Sequence, residues 1–223
     1  MPEQLGLQLP SVPALGRADF LVAPSNAVAV AMIESSAEKL VLTGPDGAGK
    51  THLAHVWAAQ HKARIIAARD LRSADVPGLA EGAVAVEDVP TIASEPQAQN
   101  ALFHLHNMVL AEGHPLLLTG RGPVRDWGIT LPDLASRIAA APAATLELPD
   151  DTLLAAVLAK LFSDRQLMPK ADLIPYLILR MDRSFAAARD LVESLDAASL
   201  AQKRPISRTL AGPLLDKGQG SAR

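Results

Sequence analysis

The sequence contains no cysteine, and only 3% of its 223 residues are aromatic. The absence of cysteine excludes a disulfide scaffold, an iron–sulfur protein, a thiolate zinc site and a thiol nucleophile. The scarcity of aromatic side chains argues against a stacking platform for single-stranded nucleic acid, which needs several rings. What remains is a chain with 49% hydrophobic residues, long enough for one core plus a small second domain.

Long apolar runs and an excess of one charge are also missing. No run approaches the roughly 18 residues that span a bilayer, and residues 1–19 lack the basic start and apolar block of a signal peptide. The 21 basic and 24 acidic side chains nearly balance, which argues against nucleic acid held by bulk charge. We therefore expect a cytoplasmic protein without a membrane partner.

Short apolar runs alternate with helical patterns along most of the chain. Runs without polar alternation are typical of strands buried on both faces, so the pattern predicts an α/β fold with a parallel sheet covered by helices. The predicted strands are residues 40–43, 64–67, 83–86, 116–119 and 144–148, and the predicted helices between them are 49–61, 95–111 and 131–140.

After residue 149 the predicted strands cease. Residues 151–162, 171–181 and 184–200 have helical spacing, and Asp150 or Asp151 can cap the first of these helices. We expect an α/β domain at 13–148 and a helical domain at 149–216. The ends are predicted to be an extended tail at 1–12 and a disordered tail at 217–223.

A glycine-rich loop lies between the first predicted strand and the helix that follows it. Its sequence, GPDGAGKT, matches the phosphate-loop pattern G-x-x-x-x-G-K-[ST] in both of its required contexts. Backbone N–H groups in such a loop turn toward phosphates, the lysine reaches the β and γ phosphates, and the threonine binds Mg²⁺. The predicted nucleotide site consists of Gly44, Pro45, Asp46, Gly47, Ala48, Gly49, Lys50 and Thr51.

An acidic pair ends the third predicted strand, where a phosphate-loop protein needs a second acid for its metal. We predict that Glu87 contacts Mg²⁺ directly or through water, and that Asp88 orients or deprotonates the attacking water. Without the phosphate loop, the same residues would be read as a solvated acidic turn.

Three segments together resemble the DnaA branch of the AAA+ ATPases, and within it the regulators that act with the replication sliding clamp. They are FLVAPSN at 20–26, the phosphate loop continuing as KTHL, and LPDLASR at 131–137, which is similar to the box bearing the arginine finger. The resemblance implies an adenine nucleotide, ADP or ATP, near Leu21, Val22, Asn26 and His52. It also implies that Arg137 acts on a nucleotide held by a neighbouring subunit, where a guanidinium stabilises charge on the γ phosphate.

The amino-terminal sequence QLGLQL at 4–9 resembles the peptide by which such regulators bind the clamp, the β subunit of DNA polymerase III. In an extended chain Leu5, Leu7 and Leu9 fall on one side and can fill an apolar groove, while Gln4 offers its amide to a polar rim. The alternative is a disordered leader that happens to contain three leucines.

The sequence departs from the broader DnaA pattern at three places. Glu87 precedes Asp88 where two aspartates are usual, and Arg121 replaces an acidic sensor and cannot accept a proton as a carboxylate can. The nucleotide-sensing arginine of the helical domain aligns with Ala186, but Arg183 and Arg189 lie three residues away on nearly the same helical face. We expect weak or no ATP turnover by this chain alone.

The resemblance implies a regulatory adaptor that promotes hydrolysis of DnaA-bound ATP and thereby turns initiation off. Its partners would be DnaA and the sliding clamp, with a homo-oligomer left open and no sequence-specific DNA expected, because no helix-turn-helix domain follows the helical domain. Two alternatives stay open: a self-contained ATPase acting as a helicase loader or DNA remodeller, and a non-catalytic scaffold for DnaA or the clamp.

Overall fold

A computed structural model describes residue 17 and residues 20–35 and 37–219 of the chain. Five parallel strands form one sheet in the order β2-β3-β4-β1-β5. The strands are β1 (Lys39–Gly44), β2 (Arg64–Ala67), β3 (Val84–Glu87), β4 (Leu116–Arg121) and β5 (Ala143–Thr145). The predicted α/β class with a parallel sheet is confirmed.

Five α-helices of the described residues accompany the sheet: α1 (Ala27–Ile33), α2 (Lys50–His61), α3 (Val76–Ala80), α4 (Pro96–Ala111) and α5 (Pro132–Ala139). Alternate side chains of β1 enter different cores, which is why a strand buried on both faces has no polar alternation. Val41 packs in a core with residues of α4 and α5, whereas Leu40 and Leu42 pack in a core with residues of α1 and α2. Helices therefore cover both faces of the sheet.

Four further helices follow the sheet: α6 (Asp151–Asp164), α7 (Leu173–Ile178), α8 (Phe185–Gln202) and α9 (Arg208–Gln219). They enclose a third hydrophobic core of their own, which includes Leu158, Phe162 and Leu195. Asp150 is the residue that caps α6, because its Oδ1 accepts a 2.7 Å hydrogen bond from the backbone N–H of Leu153. A helical region after residue 149 is thus present as predicted.

Several boundaries differ from those predicted. The fifth strand covers only Ala143–Thr145 instead of 144–148, and α1, α3 and α9 were not predicted. Helix α9 continues to Gln219. None of the described helices combines the length and apolar character that a membrane crossing requires.

Candidate nucleotide site

The phosphate loop occupies the carboxyl edge of the sheet, between β1 and α2. Gly47 and Gly49 have φ angles of +77° and +94°, in the region that L side chains rarely adopt, so the loop's turn requires glycine there. Gly49 is the N-cap of α2, whose first turn contains no acidic residue. Exposed N–H groups at such a helix start attract anions.

Lys50 is turned back onto the loop that precedes it. Its Nζ donates hydrogen bonds to the carbonyl oxygens of Gly44, at 3.0 Å, and Pro45, at 2.9 Å. Burial lowers the pKa of Lys50 below its usual value; the carboxylates of Asp46 and Asp88 act in the opposite direction. The ammonium group is therefore held at the loop and near acidic side chains.

The acidic pair ends β3, one strand away from β1 across β4. Asp88 has a positive φ of 56°, and its backbone N–H donates to Thr119 Oγ1 of β4 at 3.2 Å. Glu87 Oε1 is buried without a hydrogen-bond partner among the described residues. A buried oxygen without a partner is unusual in a folded protein, and carboxylate and hydroxyl oxygens suit Mg²⁺. Glu87 and the exposed Thr51 thus fit the predicted metal.

The amino end of α8 contacts the phosphate loop from the helical region. The backbone N–H of Phe185 donates to the carbonyl oxygen of Gly47 at 3.4 Å. A Cβ added to Gly47 would meet the Cβ of Ser184, and one added to Gly49 would lie 2.9 Å from the Phe185 ring. The loop is therefore in close contact with both regions of the molecule, a contact that the motif alone did not predict.

Three of the predicted adenine-side residues, Leu21, Val22 and Asn26, lie in the segment that leads into α1, and the fourth, His52, lies in α2. Asn26 is buried, and its side chain is hydrogen-bonded to the backbone of its own segment. Its Oδ1 accepts from the Ala23 N–H at 2.8 Å, and its Nδ2 donates to the Leu21 carbonyl at 2.9 Å. Val22 is 52% exposed. The His52 ring meets the Phe20 ring edge-on, with centroids 5.0 Å apart, so this segment packs against the start of α2.

The two arginines predicted to substitute for the nucleotide sensor flank the first turn of α8. Arg183 Nη2 forms a 2.6 Å ion pair with Asp151 Oδ1 of α6, and Arg189 is partly buried within the helix. Ala186, between them, is exposed. A direct role of either arginine toward a nucleotide stays a prediction.

Arg137 lies in the last turn of α5, at the opposite edge of the sheet from the phosphate loop. Its carbonyl oxygen accepts a 2.9 Å hydrogen bond from Lys39 Nζ, and Lys39 begins β1, whereas Gly44 ends it. At about 3.3 Å per residue along the strand, the Cα atoms of Lys39 and Gly44 are about 16 Å apart. The exposed Arg137 guanidinium lies over the Phe103 ring, 5.1 Å from its centroid, and pairs with no carboxylate in the described part of the chain.

A buried glutamine positions the helix that carries Arg137. Gln99 Oε1 accepts from the backbone N–H groups of Thr130, at 3.0 Å, and Leu131, at 2.9 Å, while its Nε2 donates to the carbonyls of Ile92 and Ala93. Gln99 is 1% exposed. One side chain thus connects the start of α5 to the turn that follows the acidic pair.

The clamp-binding residues predicted from the sequence, Gln4, Leu5, Leu7 and Leu9, lie outside the described residues. Trp57 and Trp127 are both buried, so neither indole forms an exposed stacking surface. No group of histidine and carboxylate side chains within the described ranges could form a metal centre of three or more such ligands.

The sequence matches no protein-family model. The fold, however, matches domain III of the Thermotoga maritima replication initiation protein DnaA at a TM-score of 0.79 and 17% identity, covering 94% of this chain and 98% of that one. It matches AMPPCP-bound DnaA from Aquifex aeolicus at a TM-score of 0.66 and 20% identity, over 79% of this chain and 63% of that one. The Thermotoga maritima RuvB branch migration motor matches at 0.65 and 16%, over 84% of this chain and 64% of that one. The chain therefore has an AAA+ P-loop NTPase fold, similar to that of DnaA domain III.

Proposed function

We propose that this chain is a regulatory AAA+ adaptor of the Hda type. It binds an adenine nucleotide and the sliding clamp, and it promotes hydrolysis of DnaA-bound ATP through Arg137. The observation that carries the proposal is the placement of Arg137, exposed, without a carboxylate partner among the described residues, and at the sheet edge opposite its own phosphate loop. An arginine in that place serves a nucleotide on another subunit better than its own.

The chain's own nucleotide, ADP or ATP, would be held by the loop at 44–51, with Thr51 and Glu87 as Mg²⁺ ligands. Bound Mg²⁺ neutralises charge on the phosphates. Lys50 binds the phosphates from the loop. Because Ser184 and Phe185 contact the glycines of the loop, a change at the nucleotide site changes the position of the helical region. The bound nucleotide thereby determines the conformation in which the adaptor binds its partner.

Arg137 would act on the partner. A fixed guanidinium near the γ phosphate stabilises the charge that spreads over its oxygens during phosphoryl transfer. The Phe103 ring and the Lys39 hydrogen bond hold the end of α5, which reduces the ordering needed when the partner binds. The DnaA-like fold supports replication initiation as the setting, and the sequence at 4–9 supports the clamp as the second partner.

The decisive experiment is single-turnover hydrolysis of ATP preloaded on DnaA, with and without clamp loaded on DNA. We expect the wild type to accelerate hydrolysis in the presence of loaded clamp and Arg137→Ala to lose the acceleration. Arg137→Lys keeps the positive charge but lacks the planar guanidinium, and it should recover only part of the acceleration. Arg125→Ala is the matched control, because Arg125 is an exposed arginine of the same domain outside the 131–137 box.

The other outcomes separate the alternatives. If Arg137→Ala accelerates hydrolysis as much as the wild type does, Arg137 is not an arginine finger and the scaffold alternative remains. For a scaffold, Leu7→Ala would still abolish clamp binding. Steady turnover stimulated by DNA in the absence of DnaA indicates a self-contained ATPase that uses Glu87 and Asp88.

A further inference from the structure

A second cation lies beside Arg137 at the amino edge of the sheet. Lys39 begins β1 and is only partly buried, and its Nζ donates to the Arg137 carbonyl oxygen at 2.9 Å. Burial, and after it the charge of Arg137, lowers the pKa of Lys39. The two side chains therefore lie close enough for their positive charges to repel each other.

No acidic side chain neutralises this pair within the described ranges. No carboxylate there forms an ion pair with Lys39 or Arg137, and none raises the pKa of Lys39. The groups that do lie near the pair are the Phe103 ring, below the guanidinium, and buried His106. Burial and then the charge of Lys39 lower the pKa of His106, which keeps its imidazole neutral near pH 7. The two cations thus lack a counterion in the described part of the chain.

Capping of α5 explains the hydrogen bond of Lys39 but not the paired charges. The carbonyl groups in the last turn of a helix have no partner within it, and a lysine is a common donor to them. A lysine that only caps a helix needs no second cation beside it. Like charges placed together without a counterion are unfavourable, and an anion that binds both of them relieves the repulsion.

The ammonium group of Lys39 can also make further contacts. An ammonium has three N–H donors, and within the described residues the bond to the Arg137 carbonyl uses one of them. Lys39 can therefore keep that bond and still donate to an anion that approaches the exposed guanidinium. The cap and the anion contact are compatible in one side-chain position.

We propose that Lys39 and Arg137 together bind the triphosphate held by the partner subunit, so that the adaptor brings two cations to the reaction. The proposal rests on the function proposed above and adds a second catalytic residue to it. A guanidinium donates paired hydrogen bonds at fixed angles, whereas an ammonium acts as a compact point charge. Negative charge on the transferred phosphoryl group is stabilised by both, and more strongly than by Arg137 alone.

Replacements of Lys39 that differ in charge separate this role from capping. Lys39→Gln keeps an N–H donor without the charge, Lys39→Arg keeps both, and Lys39→Met keeps only the apolar stem. Single-turnover hydrolysis of ATP preloaded on DnaA, with clamp loaded on DNA, is measured against adaptor concentration. The measurement gives a maximal rate and a half-maximal concentration for each variant, and urea unfolding reports the cap.

We expect Lys39→Gln and Lys39→Met to lower the maximal rate about tenfold or more, the scale of one charge-assisted hydrogen bond. Lys39→Arg should retain most of the rate. Lys62→Gln is the matched control, because Lys62 is an exposed lysine at the end of α2, a helix that packs on the other face of the sheet. Its maximal rate should equal that of the wild type.

A wild-type maximal rate for Lys39→Gln overturns the proposal, and so does an equal loss in Lys39→Arg and Lys39→Gln, because charge would then not be the cause. A change confined to the half-maximal concentration overturns it as well, since Lys39 would contact the partner's surface and not its phosphates. A loss seen only in Lys39→Met, together with a lower free energy of unfolding, identifies a cap alone.

Arg137→Ala, measured alongside, separates this proposal from the function on which it rests. If Arg137→Ala accelerates hydrolysis as the wild type does, the arginine finger and the two-cation site both fail. If Arg137→Ala loses the acceleration while Lys39→Gln keeps it, the finger stands and only the role of Lys39 is wrong.

Discussion

The side-chain oxygen of buried Gln99 accepts a hydrogen bond from the backbone N–H of Leu131, and it thereby fixes the segment that begins α5. Gln99→Leu removes this acceptor and leaves the N–H groups of Thr130 and Leu131 without their partner. Each buried group left unsatisfied costs about 1–3 kcal/mol, so we expect a clear loss in the free energy of unfolding measured with urea.

The same substitution should weaken the acceleration of DnaA-bound ATP hydrolysis more than it weakens the chain's own affinity for ADP, because α5 carries Arg137. Asn100→Ala is the control: Asn100 neighbours Gln99 on α4, is exposed, and its Nδ2 donates to the Pro96 carbonyl of its own helix. Equal stability of the Gln99 and Asn100 variants would contradict the positioning role.

The aromatic ring of Phe103 supports the Arg137 guanidinium. Phe103→Leu removes the π face while keeping much of the apolar volume, and an exposed cation–π contact contributes about 0.5–1 kcal/mol. We expect the hydrolysis acceleration in the DnaA assay to fall severalfold, less than for Arg137→Ala. Phe103→Tyr retains the ring and should retain the activity; a loss as large as that of the leucine variant would exclude the ring contact as the cause.

Gly47 makes the contact with α8 sensitive to one added methyl group. Gly47→Ala and Gly113→Ala both place alanine at a similar φ, +77° and +73°, so both incur a comparable backbone cost. Only at Gly47 would the methyl group meet Ser184; at Gly113 it would enter open space. We expect calorimetry to show weakened ADP binding for Gly47→Ala alone. Equal affinities would indicate that the contact between α8 and the loop is dispensable.

His106 makes stability depend on pH. Burial lowers its pKa most strongly, and the charge of Lys39 acts in the same direction; the hydrogen bond with Asn107 opposes both, and the charge of Arg137 adds a smaller lowering effect. The unfolded chain, with a pKa near the usual value of about 6.5, then binds a proton more readily than the folded chain. The contribution of His106 to the free energy of unfolding is therefore fully present above about pH 6.5 and is lost as the pH falls toward the lowered pKa of the folded state.

His106→Leu should flatten this dependence when urea unfolding is compared between pH 7 and pH 5. His104→Leu, at an exposed position of the same helix, is the control and should leave the wild-type slope. Some slope remains in the His106 variant, because burial also lowers the pKa of His61. An unchanged slope would contradict the assignment to His106.

The phosphate loop and the buried strands could be predicted from the sequence because their signals are local. Glycine spacing between a strand and a helix defines the loop, and apolar runs define strands covered on both faces. The helical region after residue 149 could be predicted for the same reason, because the helical spacing of its apolar residues is also a local signal. Helix α9 was missed because Pro213 lies inside it and its apolar pattern is short.

The contacts that complete the site could not be predicted from the sequence. The Arg121–Asp46 pair depends on β4 lying beside β1, and strand order is set by tertiary packing rather than by any local pattern. The contact of Ser184 with Gly47 and the bridging role of Gln99 likewise join segments distant in the chain. The sequence contained every residue concerned but no signal of their proximity.

The strand order has a consequence for synthesis of the chain. β1 is completed on one side by β4 and on the other by β5, which are both made much later than the loop that follows β1. While the ribosome is still translating the intervening residues, the central strand has two open edges, and such edges invite non-native pairing. The central strand thus has both of its sheet neighbours only after Thr145 has left the exit tunnel, and we expect a chaperone that shields β1 until then to raise the yield of native protein.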